Sequence, residues 1–316
     1  MVEVDFNPVR PLGLWGTGER SVFESVKAID RLRLSVLIDN SPKYDSYLKG
    51  CFGLSLWLEG GSEEVEWKIL FDVGPLAEPL LYNADLMGID IGDVDMIVLS
   101  HSHFDHTAAL ADVLRYLDRE VPILAHPGIF DPSFVLRPRY MDYGMTGDNR
   151  RSRLEDLGAR FLLTRSSLEV YPGLMFSGEI ARTNDFERSG AVSCYTLDED
   201  GCVCPHAIAD DAALGINLDG RGLVVVTGCA HAGPINTIEH LRSVSGVGEV
   251  EGVAGGFHLL QSEGDRVHRT ILKLRGLSPR WLAPMHCTGL VPMASMALAF
   301  PDDFEQMNAG DEVSWH

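Results

Sequence analysis

The chain has no stretch of the 18 or more consecutive apolar residues that a membrane span needs, although 45% of its 316 residues are hydrophobic. Its first residues, Met-Val-Glu-Val-Asp-Phe-Asn-Pro, carry neither a basic region nor an apolar core, so no secretory signal is expected and a cytoplasmic setting is. Basic residues are scarce. The 26 Lys and Arg stand against 46 Asp and Glu, for a formal charge of −20, which argues against nucleic-acid partners because those are held by cations on phosphate. Cysteine is too thin for a disulfide framework: six residues (Cys51, Cys194, Cys202, Cys204, Cys229, Cys287) in a long chain read as free thiols or metal ligands. Cys202-Val-Cys204 lacks a second pair and reads as ordinary strand or loop.

Linkers and repeats are missing too, so residues 33–316 are expected to form a single domain behind an N-terminal extension, 1–32. Short β-rich runs alternate with helical stretches. Leu34–Ile38, Phe52–Leu58, Trp67–Phe71, Asp95–Ser100 and Ile123–His126 read as strands, with Gly60-Gly61 as a hairpin turn. Leu174–Ser177, Leu214–Leu218, Gly222–Thr227 and Trp281–Met285 repeat that texture. Helices are expected at Ala77–Met87, 107–117, Ile235–Arg242, His268–Leu274 and Ala294–Phe300. Between 127 and 165 Pro, Arg, Tyr and Met cluster without a period, which suggests an insertion that covers a substrate. Two β-rich halves with helices between them predict two sheets packed face to face, helices outside.

The densest chemistry lies in Leu99-Ser-His101-Ser-His103-Phe-Asp105-His106-Thr, three histidines and an aspartate within six residues after an apolar strand. If the strand continued, His101 and His103 would share a face and grip one ion. Asp105 and His106 would then face a second. Imidazole with carboxylate, and few protein ligands per ion, is how a catalytic zinc site keeps a position open. Three later segments also end an apolar strand with metal-capable side chains: Thr227-Gly-Cys229-Ala-His231, Gly255-Gly-Phe-His258 and Met285-His286-Cys287-Thr288. Cys287 reads as a packed small residue. Gly233-Pro234 opens the helix after Cys229 and leaves main-chain N–H groups free to hold a phosphate.

The His101–His106 motif, preceded by Leu70-Phe-Asp72-Val-Gly74, resembles the metallo-β-lactamase superfamily from about residue 33 to the C-terminus. The later motifs are similar to one subgroup, which includes a synthase that joins a dihydropterin to ribofuranosylaminobenzene 5′-phosphate. The resemblance implies an α/β fold, an αββα sandwich of two mixed sheets with helices on the outer faces. It places His101 and His103 at a first metal, and Asp105, His106 and His286 at a second. Cys229 stands where the superfamily has an Asp or Cys after a strand. It also makes Asp72 a hydrogen-bonding support of the histidine loop. The superfamily's third histidine on the first metal is missing. Asp210 or Asp211 stands in that region, with His206 slightly earlier, or His231 comes in from the other side.

The expected cofactor is Zn2+, one or two ions, since a thiolate favours zinc; a carboxylate in the vacant position shifts preference toward Mn2+ or Mg2+, and Fe remains open. The expected activity is hydrolysis of a small, anionic or phosphorylated substrate by metal-activated water. Asp105 would orient the water, and His231 or His258 would serve the leaving group. A synthase-like transferase is the alternative, and a non-catalytic ligand-binding or sensor protein the third.

Overall fold

The computed structural model describes residues 26–187, 194–262 and 264–316, so the first 25 residues of the expected extension lie outside the described part. Seventeen strands alternate with seven α-helices among the described residues. One sheet is built from β1 (Arg31–Ile38), β2 (Ser55–Gly61), β3 (Glu66–Phe71), β4 (Met96–Val98), β5 (Val121–Ala125), β8 (Ala159–Leu163) and β17 (Glu312–Trp315). The second is built from β9 (Leu168–Tyr171), β10 (Leu174–Phe176), β13 (Ala213–Leu218), β14 (Gly222–Thr227), β15 (Val250–Gly256) and β16 (Trp281–Met285). A small third sheet joins β6 (Phe134–Val135) and β7 (Met141–Asp142) to β11 (Tyr195–Leu197) and β12 (Val203–Pro205).

Alternation along each strand builds the layers. Leu56, Leu58, Ile69, Phe71 and Val98 point from the first sheet into a shared core with Leu214, Ile216, Val224 and Val226 of the second. The other faces are apolar as well. Trp57, Leu70, Ile97 and Ile123 pack under α1 (Ala77–Leu86) and α3 (Leu110–Leu117), with Leu154 of α4 (Arg151–Asp156) against them. Leu223, Val225, Val253 and Leu282 pack under α5 (Pro234–Ser245), α6 (Gly264–Leu277) and α7 (Leu290–Ala299). Strands apolar on both faces belong to a sheet covered on both sides, and the result is the αββα sandwich. No helix among the described residues is long and apolar enough to cross a membrane.

Register sets where the site lies. β3 and β4 run parallel with Phe71 opposite Val98, so Asp72 and the histidine loop leave the first sheet at one edge. β14, β15 and β16 are also parallel, with Thr227 opposite Gly255 and Gly256 opposite Met285, so Cys229, His258 and His286 leave the second sheet side by side. Side chains gathered at the carboxyl ends of parallel strands are where open α/β folds place their ligands.

Several expected boundaries shift. Strand β4 stops at Val98, and the histidines follow it on a loop, so strand alternation does not place His101 and His103. The expected helix over 107–117 is two pieces, α2 (Phe104–Thr107) and α3. Gly60 and Gly61 are not a turn: they pair with Trp67 and Glu66 inside β2, and a Cβ on Gly60 would lie 2.3 Å from the Trp67 ring. The glycine makes room for an indole. The stretch 127–165 is irregular only in its first part, since α4 packs on the first sheet and β8 pairs with β5.

Candidate metal centre

Asp72 organises the histidine loop. Its Oδ1 accepts from the Ser100 N–H at 2.7 Å, and its Oδ2 lies 2.7 Å from both the Ser100 hydroxyl and His106 Nδ1. The Ser100 hydroxyl donates to Asp72 and therefore accepts from His101 Nδ1, 2.9 Å away. Both imidazoles thus spend their Nδ1 protons outward and turn their Nε2 atoms inward, where a cation would sit. Gly228 of the second sheet closes against this support, where a Cβ would sit 2.1 Å from Ser100 Oγ and 3.0 Å from Asp72 Oδ2. Only a residue without a side chain fits there.

The second sheet answers with side chains from the ends of its parallel strands. His286 Nδ1 meets Asn40 Oδ1 at 3.1 Å, its N–H donates to Asp39 at 2.9 Å, and its Nε2 lies 3.3 Å from His106 Nε2 and 3.3 Å from Asp105 Oδ2. Cys229 Sγ is 3.2 Å from His106 Nε2. His231 Nε2 is 3.3 Å from His101 Nε2, and the His103 ring stands 4.9 Å from that of His231. Three sets of ligand-type atoms each lie within 4.8 Å of one another: His101, Cys229 and His231; His106, Cys229 and His286; Cys229, His258 and Cys287. Cys229 is common to all three.

Charge follows burial and company. Burial pushes His103 down to about 3 even with Asp105 beside it, and burial with neighbouring imidazoles holds His101 and His231 well below the usual histidine range. Burial works against the charged form of His106 as well, but Asp72 and Asp105 outweigh it and raise that group to about 9. Burial likewise opposes ionisation of Asp105, yet His106, His286 and His103 keep it below the usual carboxylate range. The neutral imidazoles of His101, His103 and His231 converge with a thiol and an ionised carboxylate around the charged His106, whose extra proton a bound cation would displace. A divalent cation fits that donor set.

His101, His103, Asp105, His106, Cys229, His231, His258 and His286 are therefore brought together. Asp210 and Asp211 each spend one oxygen on main chain, Asp210 accepting from the Ser102 N–H at 2.7 Å and Asp211 from the Ala232 N–H at 2.8 Å, while the other oxygen of each is buried without a hydrogen-bond partner; neither falls in the three ligand sets. Burial raises Asp210 to about 7 and Asp211 to about 6. His206 turns away to Ser133. The side chain facing His101 is His231.

The expected phosphate site at the start of α5 is filled by the protein itself. The Glu187 carboxylate accepts from the N–H groups of Ile235 at 3.1 Å and Asn236 at 2.9 Å, and a Cβ on Gly233 would lie 2.3 Å from it. A buried carboxylate at the positive end of a helix takes the place of the anion.

Several contributors escaped sequence reading. Phe52 packs 5.5 Å from the His286 ring and Tyr143 5.6 Å from that of His103, and both line a cavity of about 160 Å³ with Asp105, His258, Leu260 and Cys287. Tyr143 comes from the insertion and is tied in where the Phe104 N–H donates to its carbonyl at 2.7 Å. Cys194 Sγ lies 3.9 Å from His103 Nε2. Asp39 and Asn40 directly follow β1, so attention to strand ends would have found them; nothing local marks Phe52 or Cys194.

Residues 60–150 match the family model of the metallo-beta-lactamase superfamily. A 7,8-dihydropterin-6-methyl-4-(beta-D-ribofuranosyl)-aminobenzene-5′-phosphate synthase of Methanocaldococcus jannaschii is 34% identical over 293 residues, 92% of this chain and 99% of that protein. The crystal structure of Tm1679, a metal-dependent hydrolase of the beta-lactamase superfamily, matches with a TM-score of 0.73 and 23% identity over 89% of this chain and 98% of that one. Zn(2+)-bound PqqB from Methylobacterium extorquens matches at 0.50 and 13% identity, over 90% and 99% of the two chains. The two structures speak for the fold; the synthase speaks for the family. The chain belongs to the metallo-β-lactamase superfamily, a family of enzymes, and within it to the group that includes the M. jannaschii synthase.

Proposed function

We propose that the protein is a metal-dependent hydrolase acting on a small anionic or phosphorylated substrate, with one or two zinc ions as cofactor. The observation that carries this reading is the convergence of ligand-type side chains from both sheets on Cys229. His101, His103 and His231 would hold an ion on one side of the thiol, and Asp105, His106 and His286 on the other. A bound ion supplies Lewis-acid chemistry, polarising the scissile group and bringing water to a pKa of about 7.

The protein's own groups do the rest. Asp105 lines the cavity 3.3 Å from His286 Nε2, placed to orient the attacking water. Phe52, Tyr143 and Leu260 wall the cavity and exclude bulk solvent, which strengthens every charge interaction inside. Of the two histidines expected to serve the leaving group, His231 faces His101, and His258 lines the cavity.

The test is metal analysis of protein purified without chelator, with a screen of phosphoesters, lactones and thioesters. The variant carrying His103→Ala and Asp105→Ala is expected to lose both metal and turnover; full activity in it overturns the reading. The near full-length similarity to the M. jannaschii synthase favours a second reading, in which a carbon nucleophile takes the place of water. Incubation with hydroxymethyl-dihydropterin diphosphate and ribofuranosylaminobenzene 5′-phosphate separates the two. Coupled product supports the transferase; diphosphate release alone supports hydrolysis.

A further inference from the structure

The six residues that the metallo-β-lactamase resemblance assigns to metals leave two chemically capable neighbours unused. Cys287 and His258 complete the third ligand set with Cys229, their atoms mutually within 4.8 Å. We propose that Cys287 is a second thiolate ligand of the metal centre, and that with Cys229 and His258 it forms a sulfur-rich position selecting zinc or another soft divalent cation over magnesium and manganese. The proposal rests on the metal-dependent reading above and concerns the selectivity of the same centre.

The backbone presents these groups deliberately. The turn His286–Thr288 follows β16, and His286 takes a positive φ of 51° that sends its ring toward Asp105. Cys287, one residue on, lies on the side of β15. There Gly256 leaves a slot for the thiol: a Cβ at Gly256 would sit 2.6 Å from Cys287 Sγ and 3.2 Å from Cys229 Cα. His258 also has a positive φ, 46°. The loop that carries it is bonded to the Cys287 turn at two points, from Phe257 N–H to Thr288 Oγ1 at 3.0 Å and from Leu260 N–H to the Cys287 carbonyl at 3.2 Å. A histidine in the left-handed region is strained, and such strain persists where a side chain must be aimed.

The side chains are otherwise underused. His258 Nδ1 is buried without a hydrogen-bond partner. The Cys287 thiol makes a long contact of 3.7 Å to the Cys229 carbonyl and lies within hydrogen-bonding reach of the Cys229 thiol and the His258 imidazole. Both residues line the cavity with Cys229. A packing role for Cys287 does not explain the orphaned imidazole nitrogen beside it. Two thiolates and an imidazole are soft to borderline donors, a set that favours zinc and disfavours oxygen-seeking ions. On this assignment His258 serves the ion and not the leaving group.

X-ray absorption at the zinc edge of the full-length, zinc-loaded protein tests this directly, since zinc–sulfur scattering appears at about 2.3 Å. Cys287→Ala is expected to lose one sulfur per protein relative to wild type, and an unchanged sulfur number overturns the proposal. If that variant folds poorly, cobalt substitution of the wild type decides alone. A cobalt–thiolate absorption corresponding to two sulfurs supports the proposal, and one corresponding to a single sulfur overturns it. Zinc bound with Cys229 as its only sulfur overturns this inference and leaves the metal-dependent reading intact. No zinc bound at all overturns both.

Discussion

The first sheet delivers its share of the site in one loop and the short helix after it, four candidate ligands within His101–His106, of which the single carboxylate of Asp72 steadies His106 directly and His101 through Ser100. The second sheet delivers Cys229, His258 and His286 from the ends of three neighbouring strands, with no common support. There the aim is set by backbone conformation instead: Ala230, His258 and His286 all have positive φ, at 52°, 46° and 51°. A carboxylate network and backbone strain are two physical routes to the same precision. The first concentrates its dependence in one residue, and the second spreads it over three turns, each costing of order 1–3 kcal/mol.

Substitutions can break or sharpen that contrast. The largest effect is expected at Cys229, the one side chain shared by every ligand set. Cys229→Ala should lower bound metal, measured by elemental analysis, below the level of either His106→Ala or His231→Ala; equal content in the three would show that the halves act separately. Next comes Asp72→Asn, which keeps the shape but ends the charge that orients His106 and, through Ser100, His101. Metal affinity should fall about 10–100-fold with an unchanged circular dichroism spectrum. A comparable loss from Asn40→Ala, which of the candidate ligands meets only His286, would erase the claimed asymmetry.

Smaller effects are expected away from the ligands. Glu187→Ala leaves the first N–H groups of α5 unpaired and should cost about 1 kcal/mol in urea unfolding, with metal affinity retained. A large loss of affinity would mean that Glu187 also shapes the second sheet's turns. Smallest is Ala230→Gly, which relieves a positive φ while adding freedom to the unfolded chain. The balance should stabilise by about 0.5 kcal/mol in the same assay. Destabilisation there would show that the turn is not strained.

Legibility followed the same division. The contiguous motif His101–His106 could be read because four metal-capable residues in six are visible without knowing the fold. The strand ends at Cys229, His258 and His286 could be read because apolar runs announced the strands before them. Asp211 was read as a candidate for the vacant ligand position; one of its oxygens is held by the Ala232 N–H, a bond made across 21 residues of chain that the sequence does not show. The phosphate site at α5 failed for the same reason. A helix start shows its free N–H groups in sequence, but not the distant Glu187 that fills them, 48 residues from Ile235.

Local pattern alone determined two β-rich halves with helices between them and the clustering of metal-capable side chains at strand ends. Apolar alternation and dense ligand spacing are properties of short segments, and they survive being read one segment at a time. Only the tertiary structure decided that His231 faces His101, that Cys287 meets Cys229 across the Gly256 slot, and that Phe52 and Tyr143 wall the cavity. Those contacts depend on strand register and turn conformation, which bring together groups as far apart as residues 39 and 286 and leave no trace in the spacing of either.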